Sequence, residues 1–368
     1  MRISLDAYHA TQVHGGIARY IRGLLPALAA ASASDSFILF TNQFRQLSPS
    51  WDPGHPNVRL YDLRIPRRLM QACWDYLAWP PVETFIGSLD IFHGTHFVLP
   101  AVRRAKCVLT VHDLTYLRHP EYFGNRELNE RGYRKELPRA LARVDAVIAD
   151  SRHTRDDLAE LLNYPEGRIR VIHLGVEPHF FVSRDAERLA GVKSRYRLDG
   201  PYLVFSVGTP EPRKNLLRTV AAARRASARM PLVLIGQQDA IRATLENDVR
   251  GVVLTGPVPD ADLPWVLHGA ELALYPSLYE GFGLPAVEAM AAGVPLITSN
   301  RSALPEVVEK AAVLVDPESE DDMEEVIREL LEDGDRRQQL IELGRARARE
   351  LSWNVTAQHV LEVYRELV

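Results

Sequence analysis

The sequence is poor in cysteine: its 368 residues include only Cys73 and Cys107. Neither belongs to a CxxC pair, and neither has a nearby histidine at metal-ligand spacing. This usage excludes a disulfide-rich secreted domain and a thiolate zinc site, because both need several closely spaced cysteines. Two free thiols in a reducing cytoplasm are the prediction.

Long apolar runs and a signal sequence are also lacking. No apolar stretch approaches the roughly 20 residues of a membrane-spanning helix, and residues 1–6 hold only a short apolar run before Asp6. The net charge of −4 gives no general reason to expect a nucleic-acid partner, because nucleic acid attracts positively charged proteins. We therefore expect a cytoplasmic protein that does not bind nucleic acid.

The chain does contain many short apolar runs that alternate with longer helical patterns. They are rich in Val, Ile and Leu with little polar alternation, which is typical of strands buried on both faces of a parallel sheet. Strands and helices in alternation predict right-handed βαβ units. The predicted strands are Arg2–Leu5, Phe37–Thr41, Val58–Tyr61, Ile91–His93, Val108–Val111, Ala146–Ala149 and Arg170–His173, then Tyr202–Val207, Leu232–Ile235, Val252–Thr255, Leu272–Tyr275, Pro295–Thr298 and Val313–Val315.

The length predicts two domains, since domains usually run to roughly 100–200 residues. A polar, irregular stretch at residues 177–200 precedes a fresh strand and marks the boundary. We predict an N-terminal domain at 1–180 and a C-terminal domain at 181–352. The amphipathic segment Trp353–Val368 is predicted to be a helix that docks on one of them.

The strongest local signal is the segment Glu280–Met290, of sequence EGFGLPAVEAM, which follows a strand and opens a helix. Its two glycines permit close approach of a ligand to the backbone, and the helix N-terminus attracts anions, so the turn is suited to a diphosphate. Glu280 can accept hydrogen bonds from ligand hydroxyls, and Glu288, one turn into the helix, can hold both hydroxyls of a ribose. A tight turn with two solvated glutamates is an equally good interpretation of the turn alone.

A second signal is the segment Gly208–Asn215, of sequence GTPEPRKN, at the carboxyl end of a predicted strand. Ligands bind at such ends in open α/β sheets. Arg213 and Lys214 can neutralise two phosphates. Cations are unfavourable at a helix N-terminus, which favours the presence of an anion there.

Two weaker signals lie in the N-terminal half. Gly15 and Gly16 precede an amphipathic helix and can form a phosphate or substrate loop, although they lack the GxGxxG spacing of a nicotinamide site. His112 and Asp113 end a strand, where such a pair can recognise a polar substrate or transfer a proton. A structural histidine is the competing interpretation.

Together these segments resemble the retaining glycosyltransferases of family 4, which have the GT-B fold: two Rossmann-like, doubly wound parallel-sheet domains that face each other across a cleft. Glu280 and Glu288 match the family's Glu-x7-Glu element, Arg213 and Lys214 its donor-phosphate pair, Gly15 and Gly16 its glycine loop, and His112 the histidine near the transferred sugar. Residues 149–151 and 171–176 match further landmarks. Thr209 departs from the arginine that many members have there, so the phosphate charge would fall on Arg213 and Lys214.

The resemblance implies an N-terminal acceptor-binding domain, a C-terminal donor-binding domain and a final helix that returns to the N-terminal domain. It implies retaining transfer from a nucleoside diphosphate sugar to a glycan or lipid-linked acceptor, without metal or cofactor. The wording of its motifs favours GDP-mannose; UDP-sugars and other GDP-sugars stay open. The implied catalytic residues are His112, Glu280, Arg213 and Lys214. The implied donor-binding residues are Gly15, Gly16, Thr209, Arg213, Lys214, Pro257, Val258, Glu280, Gly281, Phe282, Gly283, Leu284 and Glu288.

Three other classes of protein share some of these sequence features. A glycoside hydrolase needs two carboxylates about 5–9.5 Å apart, whereas Glu280 and Glu288 would lie roughly 12 Å apart on a continuous helix. An NAD-dependent enzyme would carry GxGxxG after a strand, and none is present. A non-catalytic nucleotide-sugar sensor stays open. The DxD string at Asp260–Asp262 precedes a proline and is interpreted as helix capping rather than a metal site.

One segment indicates a membrane surface. Residues Arg64–Trp79 are basic and then aromatic, and Leu69, Cys73, Tyr76 and Leu77 share one helical face. Basic residues beside aromatic ones suit an anionic membrane, although a core-packing helix fits the pattern equally well. We expect weak peripheral contact with the inner face of the cytoplasmic membrane.

Overall fold

The computed structural model describes residues 1–11, 15–42, 54–97, 99–123, 132–183 and 185–368. Contacts within the chain divide it into two compact units. The first unit contains Met1–Pro120, the described part of Asn125–Gly175, and Trp353–Val368. The second unit contains the described part of Glu121–Gly124 and Val176–Ser352. The boundary predicted at 180/181 stays a prediction.

The first unit is built on a seven-stranded sheet of order β3-β2-β1-β4-β5-β6-β7. Each neighbouring pair is parallel, so all carboxyl ends lie at one edge. The strands are β1 Arg2–Asp6, β2 Ser36–Thr41, β3 Val58–Asp62, β4 Ile91–Gly94, β5 Lys106–Val111, β6 Ala146–Ala149 and β7 Ile169–Val171.

Helices cover this sheet. They are α1 Gly16–Ala31, α2 Arg67–Leu77, α3 Glu83–Ile86, α4 Thr115–Arg118, α5 Leu137–Leu141, α6 Arg152–Leu162 and the C-terminal α15 Trp353–Leu367, with 3-10 turns at Tyr8–Thr11, Pro120–Phe123 and Glu166–Arg168 and a π-helical turn at Gly132–Glu136. Ser151 caps α6 by accepting a hydrogen bond from the Thr154 backbone N–H.

The C-terminal helix α15 packs closely on α1. A Cβ atom placed on Gly23 of α1 would lie 2.1 Å from the Trp353 indole, so only glycine leaves room for this ring. Buried apolar residues of α15 include Val360, Leu361 and Val363. The amphipathic pattern of this segment therefore reflects burial against the first unit.

The second unit is built on a six-stranded sheet of order β10-β9-β8-β11-β12-β13, again parallel throughout. Its strands are β8 Leu203–Gly208, β9 Leu232–Gly236, β10 Val252–Gly256, β11 Leu272–Tyr275, β12 Leu296–Ser299 and β13 Val313–Val315. All thirteen predicted strands are thus found in the described residues, with ends displaced by at most two residues.

The helices of the second unit are α7 Ala186–Arg195, α8 Leu216–Ala226, α9 Gln238–Thr244, α10 Leu263–His268, α11 Leu284–Ala292, α12 Leu304–Val308, α13 Glu320–Glu332 and α14 Gly334–Glu350, with 3-10 turns at Pro178–Phe180 and Pro212–Lys214. Helix α11 is almost wholly buried, which fits its run of small and apolar residues. Among the helices that the structure describes, none is both long and apolar enough to cross a membrane.

Candidate active-site residues

The basic pair lies in the connection from β8 to α8. Gly208 ends the strand with φ +67°, a conformation that favours glycine. The chain then forms the 3-10 turn Pro212–Lys214 and enters α8 through Asn215, which has left-handed backbone angles. The strand is thereby followed at once by a short turn that places two cations at its carboxyl end.

Asn215 fixes this turn to its neighbours. Its buried amide Nδ2 donates to the carbonyl oxygens of Pro276, at 3.1 Å, and Pro317, at 2.6 Å. The Leu278 backbone N–H donates to the carbonyl oxygen of Arg213 at 2.7 Å. These hydrogen bonds therefore join the loop after β8 to the loop after β11.

Glu280 brings the two cations together. Its Oε2 accepts from Arg213 Nη1 at 2.8 Å, and its Oε1 accepts from Lys214 Nζ at 2.6 Å. The Tyr275 hydroxyl donates to the same Oε1 at 2.8 Å and accepts from Lys214 at 2.7 Å. Glu211 holds Arg213 Nε at 2.7 Å. One guanidinium and one ammonium group thus face two carboxylates in a largely buried cluster.

Burial of this cluster shifts the pKa values of its members. Burial alone would raise the pKa of Glu280, but Arg213 and Lys214 outweigh it and lower the pKa to about 2. Burial lowers the pKa of Lys214, with Glu280 opposing and Arg213 adding to the effect. Glu280 is therefore ionised at neutral pH and supplies the negative charge that the cations need.

Glu280 is a partner that the sequence does not pair with these cations. The protein places its carboxylate against both Arg213 and Lys214. The sequence alone could not show this, because the carboxylate comes from a segment 66 residues away. A diphosphate would have to share the cations with Glu280.

The turn that follows Glu280 leads into α11. Gly283 is the N-cap residue, with φ +99°, and a Cβ there would lie 2.6 Å from Leu304. Leu284 is the first helical residue and Pro285 the second, a place where proline costs no helical hydrogen bond. Gly281, Phe282 and Leu284 are buried with the turn. Helix α11 thus begins at the same sheet edge as the basic pair.

Glu288 and the remaining predicted donor residues occupy distinct positions in the second unit. Glu288 is buried one turn into α11, at 1% exposure. Thr209 follows β8 and is exposed, while Pro257 and Val258 follow β10, two strands away in the sheet. All follow carboxyl ends of strands and therefore lie at the same edge.

The predicted DxD string has a structural role different from the one expected. Asp262 occupies the N-cap position of α10, but its side chain does not cap the helix. Its carboxylate instead accepts from the Tyr196 hydroxyl at 2.9 Å and pairs with Arg195. This pairing ties α10 to the end of α7.

His112 lies in the first unit, where the carboxyl ends of β4, β5 and β6 adjoin. Its Nδ1 is 2.6 Å from Asp150 Oδ2, directly after β6. Its Nε2 is 3.1 Å from the carbonyl oxygen of Thr95, directly after β4. A carbonyl oxygen only accepts, so Nε2 carries a hydrogen and the second imidazole proton is held between Nδ1 and Asp150.

The Asp150 carboxylate changes the protonation of this histidine. Burial lowers the pKa of His112, but Asp150 outweighs burial and the net pKa is raised. Burial likewise raises the pKa of Asp150, against the effect of His112. The pair therefore retains a proton over a wider pH range than a free histidine does.

The glycine loop is the remaining predicted element of the first unit. Gly15 is the N-cap residue of α1, with φ +140°, and its carbonyl accepts from the Arg19 backbone N–H at 3.1 Å. Gly15 and Gly16 are exposed, and a Cβ atom on either would meet nothing within 4 Å. Residues 12–14, which precede them, lie outside the described residues.

Comparison with known proteins identifies the family. The family model described as Glycosyltransferase Family 4 matches residues 14–180, and that described as Glycosyl transferases group 1 matches residues 193–347. The O-antigen chain mannosyltransferase B of Escherichia coli is 31% identical across 96% of this chain and 96% of its own length. The chain belongs to glycosyltransferase family 4.

Two further relatives place this glycosyltransferase in sequence and in structure. The MMP alpha-(1->4)-mannosyltransferase of Mycolicibacterium hassiacum is 29% identical over 88% of this chain and 78% of its own. The sucrose-phosphate synthase of Thermosynechococcus elongatus superposes with a TM-score of 0.80 at 22% identity, over 100% of this chain and 99% of the other. The two parallel-sheet α/β units of this glycosyltransferase have the GT-B fold.

Two residues of the glycosyltransferase that touch the basic cluster were not predicted from the sequence. Tyr275 ends β11 and bonds both Lys214 and Glu280. Asn215 anchors the turn that carries the cations. The sequence signal for Tyr275 is its place at the carboxyl end of a buried strand, where ligands bind in open α/β sheets. The sequence signal for Asn215 is its place directly after the basic pair.

Proposed function

We propose that this glycosyltransferase moves mannose from GDP-mannose, with retention of configuration, to a glycan or lipid-linked acceptor in cell-surface polysaccharide biosynthesis. The supporting observation for the sugar is the similarity to two mannosyltransferases, one of them alike over nearly the whole length of both chains. The supporting observation for donor binding is the buried cluster of Arg213, Lys214 and Glu280 at the sheet edge where α11 begins.

In this proposal the second unit binds the donor. Arg213 as a planar fork and Lys214 as a compact charge hold the diphosphate, helped by the backbone N–H groups at the start of α11. Gly281, Phe282, Gly283 and Leu284 supply that turn, and Glu280 also accepts from sugar hydroxyls. Glu288 binds the ribose. Thr209, Pro257 and Val258 flank the phosphate and the base.

In this proposal the first unit binds the acceptor, and its Gly15 and Gly16 contribute to donor binding. His112 contacts the transferred sugar in this proposal. Both of its ring nitrogens have protein partners in the structure, so contact with a hydroxyl requires the 3.1 Å bond from Nε2 to the Thr95 carbonyl to open. The longer of the two contacts is thus the one that substrate would replace.

The proposed chemistry takes place on one face of the sugar. The bond between the anomeric carbon and the diphosphate oxygen breaks, and its electron pair leaves with the diphosphate. The acceptor oxygen bonds to the same face of the anomeric carbon, and the acceptor proton passes to the leaving phosphate. Arg213 and Lys214 stabilise the departing charge because they are already oriented by Glu280 and Glu211.

We further propose that the reaction needs neither metal nor cofactor, since two fixed cations and a helix N-terminus can stabilise a leaving diphosphate. Turnover measured with and without a chelator tests this. Equal rates are expected, and loss of activity that added Mg²⁺ or Mn²⁺ restores would overturn it.

A panel of donors tests the reaction itself. Purified enzyme is incubated with GDP-mannose, other GDP-sugars and UDP-sugars, with a mannose-bearing acceptor, and the products are separated and their anomeric configuration determined. We expect α-linked mannose from GDP-mannose only. Transfer from a UDP-sugar would overturn the proposed donor, and a product of inverted configuration would overturn the retaining mechanism. Tight binding without turnover would favour a nucleotide-sugar sensor.

Weak membrane contact through α2 completes the proposal. Four apolar residues of this helix and its end are exposed: Leu69 by 58%, Tyr76 by 77%, Leu77 by 68% and Trp79 by 64%. Met70 and Trp74 of the same helix pack in the core of the first unit. The sequence adds basic residues just before this face, which suits anionic lipid at the inner side of the cytoplasmic membrane.

Vesicle flotation tests this contact. The enzyme is floated with phosphatidylglycerol vesicles at low salt, beside a variant in which Tyr76 and Leu77 are both changed to Ser. A matched control changes Leu217, exposed by 58% on α8, to Ser. Flotation lost only in the α2 variant is expected; no flotation of the wild type would contradict membrane contact.

A further inference from the structure

A continuous line of buried polar side chains crosses the first unit beside His112. The Tyr20 hydroxyl is 2.9 Å from Thr110 Oγ1, and Thr110 Oγ1 is 2.7 Å from His93 Nε2. His93 Nδ1 is 2.5 Å from the Tyr364 hydroxyl. All four side chains are at most 1% exposed, so these bonds form away from water and are costly to break.

The line joins four elements of the first unit. Tyr20 lies on α1, Thr110 on β5, His93 on β4 and Tyr364 on α15. Tyr20 also packs edge-on against Trp353 at the start of α15, with ring centroids 6.1 Å apart. The C-terminal helix therefore contacts Tyr20 directly at one end and through three polar side chains at the other.

Tyr20 in turn packs against His112. The two ring centroids are 4.9 Å apart and the rings are inclined by 73°. The hydrogen bonds of His112 to Asp150 and to the Thr95 carbonyl act at its two nitrogens, so they leave the ring able to tilt about the line between them. An edge-to-face neighbour restricts that tilt.

We propose that Tyr20 is a positioning residue for His112, and that the C-terminal helix holds Tyr20 in place through Tyr364, His93 and Thr110. This inference rests on the proposed role of His112 at the transferred sugar. The inference gives the C-terminal helix a function besides closing the core of the first unit, because through Tyr20 it sets the orientation of the His112 ring.

The charges around His112 determine how loss of the Tyr20 ring should change the protonation of the imidazole. Asp150 and Asp113 face it, and His93 faces it as a neutral ring because burial, together with His112, keeps the pKa of His93 at about 3. His173 acts on Asp150. Removing the Tyr20 ring admits water to Asp150 and His112, which weakens their interaction and alters the protonation of the imidazole.

The test compares Tyr20→Leu, Tyr20→Phe and Tyr364→Phe by NMR of the histidine rings, with His112→Gln to assign the His112 signals. Tyr20→Leu should shift the His112 signals and their titration midpoint, and should lower kcat roughly tenfold while the donor KM stays within about twofold. The two Phe variants, which keep the rings but lose one hydroxyl each, should give smaller changes in the same direction.

A matched control is Tyr202→Phe. Tyr202 is also buried, and its hydroxyl donates to the Val266 carbonyl at 2.8 Å in the second unit. This variant should lose thermal stability to a similar degree without any change at His112. A shift of His112 in this control as large as in the Tyr20 variants would overturn the proposal, because it would mark a general loss of packing.

Unchanged His112 signals in folded Tyr20→Leu would also overturn the inference. If that variant does not fold, the same criterion applies to Tyr20→Phe and Tyr364→Phe. The NMR measurement needs no sugar transfer, so its outcome is separate from the proposed function. Tyr20-dependent His112 signals in an enzyme that transfers no sugar would contradict the proposed function alone.

Discussion

The Lys214 ammonium donates to Glu280 Oε1 at 2.6 Å, although 66 residues separate the two in the sequence. Arg213 meets the other oxygen of the same carboxylate at 2.8 Å. In the proposed function, a diphosphate at this edge of the second sheet would meet two cations that are already oriented, so little reorganisation would be needed as negative charge develops on the leaving group.

Removal of Lys214 should weaken nucleotide binding. Lys214→Ala deletes a charge-assisted bond to phosphate, and we expect GDP to dissociate with a Kd at least roughly tenfold higher. Isothermal titration calorimetry measures it, with Lys310→Ala, an exposed lysine of the same unit, as control. An unchanged Kd in Lys214→Ala would contradict the assigned phosphate site.

Removal of the Tyr275 hydroxyl should have a smaller effect in the same direction. Tyr275→Phe keeps the ring whose centroid is 5.1 Å from Lys214 Nζ but loses the hydroxyl that bonds Lys214 and Glu280. We expect the donor KM to rise a few-fold, by about the worth of one buried hydrogen bond. Steady-state kinetics checks this against Tyr202→Phe. Equal KM values for the two variants would mean that the hydroxyl does not position the cation.

Loss of the Glu280 charge should show a pH dependence of defined sign. The folded pKa of Glu280 is lowered from 4.5 to about 2, so its contribution to stability is full above about 4.5 and is lost as the pH falls towards 2. Glu280→Gln should therefore be less stable than wild type at pH 7, with the difference narrowing on acidification. Urea denaturation at pH 7, 5 and 4 measures the difference in the free energy of unfolding between the two proteins. A difference that widens on acidification would contradict an ionised Glu280 in the folded protein.

The Glu288 carboxylate should accept hydrogen bonds from the ribose hydroxyls of the donor. If its carboxylate binds both ribose hydroxyls, Glu288→Ala should weaken binding of GDP by roughly tenfold or more and weaken binding of 2′-deoxy-GDP, which keeps only the 3′-hydroxyl, by a smaller factor. Calorimetry measures the affinity of both proteins for both nucleotides, and the four values show whether the effects of the two changes are independent. Because Glu288 is buried, Glu288→Gln provides a variant of similar volume. Equal losses for the two nucleotides would place Glu288 away from the ribose.

Some of these structural features could be predicted from the sequence. Short Val, Ile and Leu runs predicted every described strand, because a strand buried on both faces of a parallel sheet needs apolar residues at consecutive positions. The turn before α11 was visible as well, since glycine at position 283 and proline at position 285 have strong local conformational preferences. Such features depend on neighbours along the chain.

Other relationships required the tertiary structure. No local pattern in the sequence pairs Glu280 with Lys214. Asp262 occupies a cap position but bonds Arg195 and Tyr196, partners that only the packing of α7 brings near it. The line from Tyr364 to Tyr20 likewise joins residues that span almost the entire chain.

The sequence by itself determined the strands, the turns and the types of chemical group at the carboxyl ends of the strands. The tertiary structure decided which of those groups meet. The physical reason is range: backbone preference and hydrophobic periodicity act over a few residues, whereas hydrogen bonds and ion pairs act over a few ångströms between segments whose distance along the chain carries no information about their distance in space.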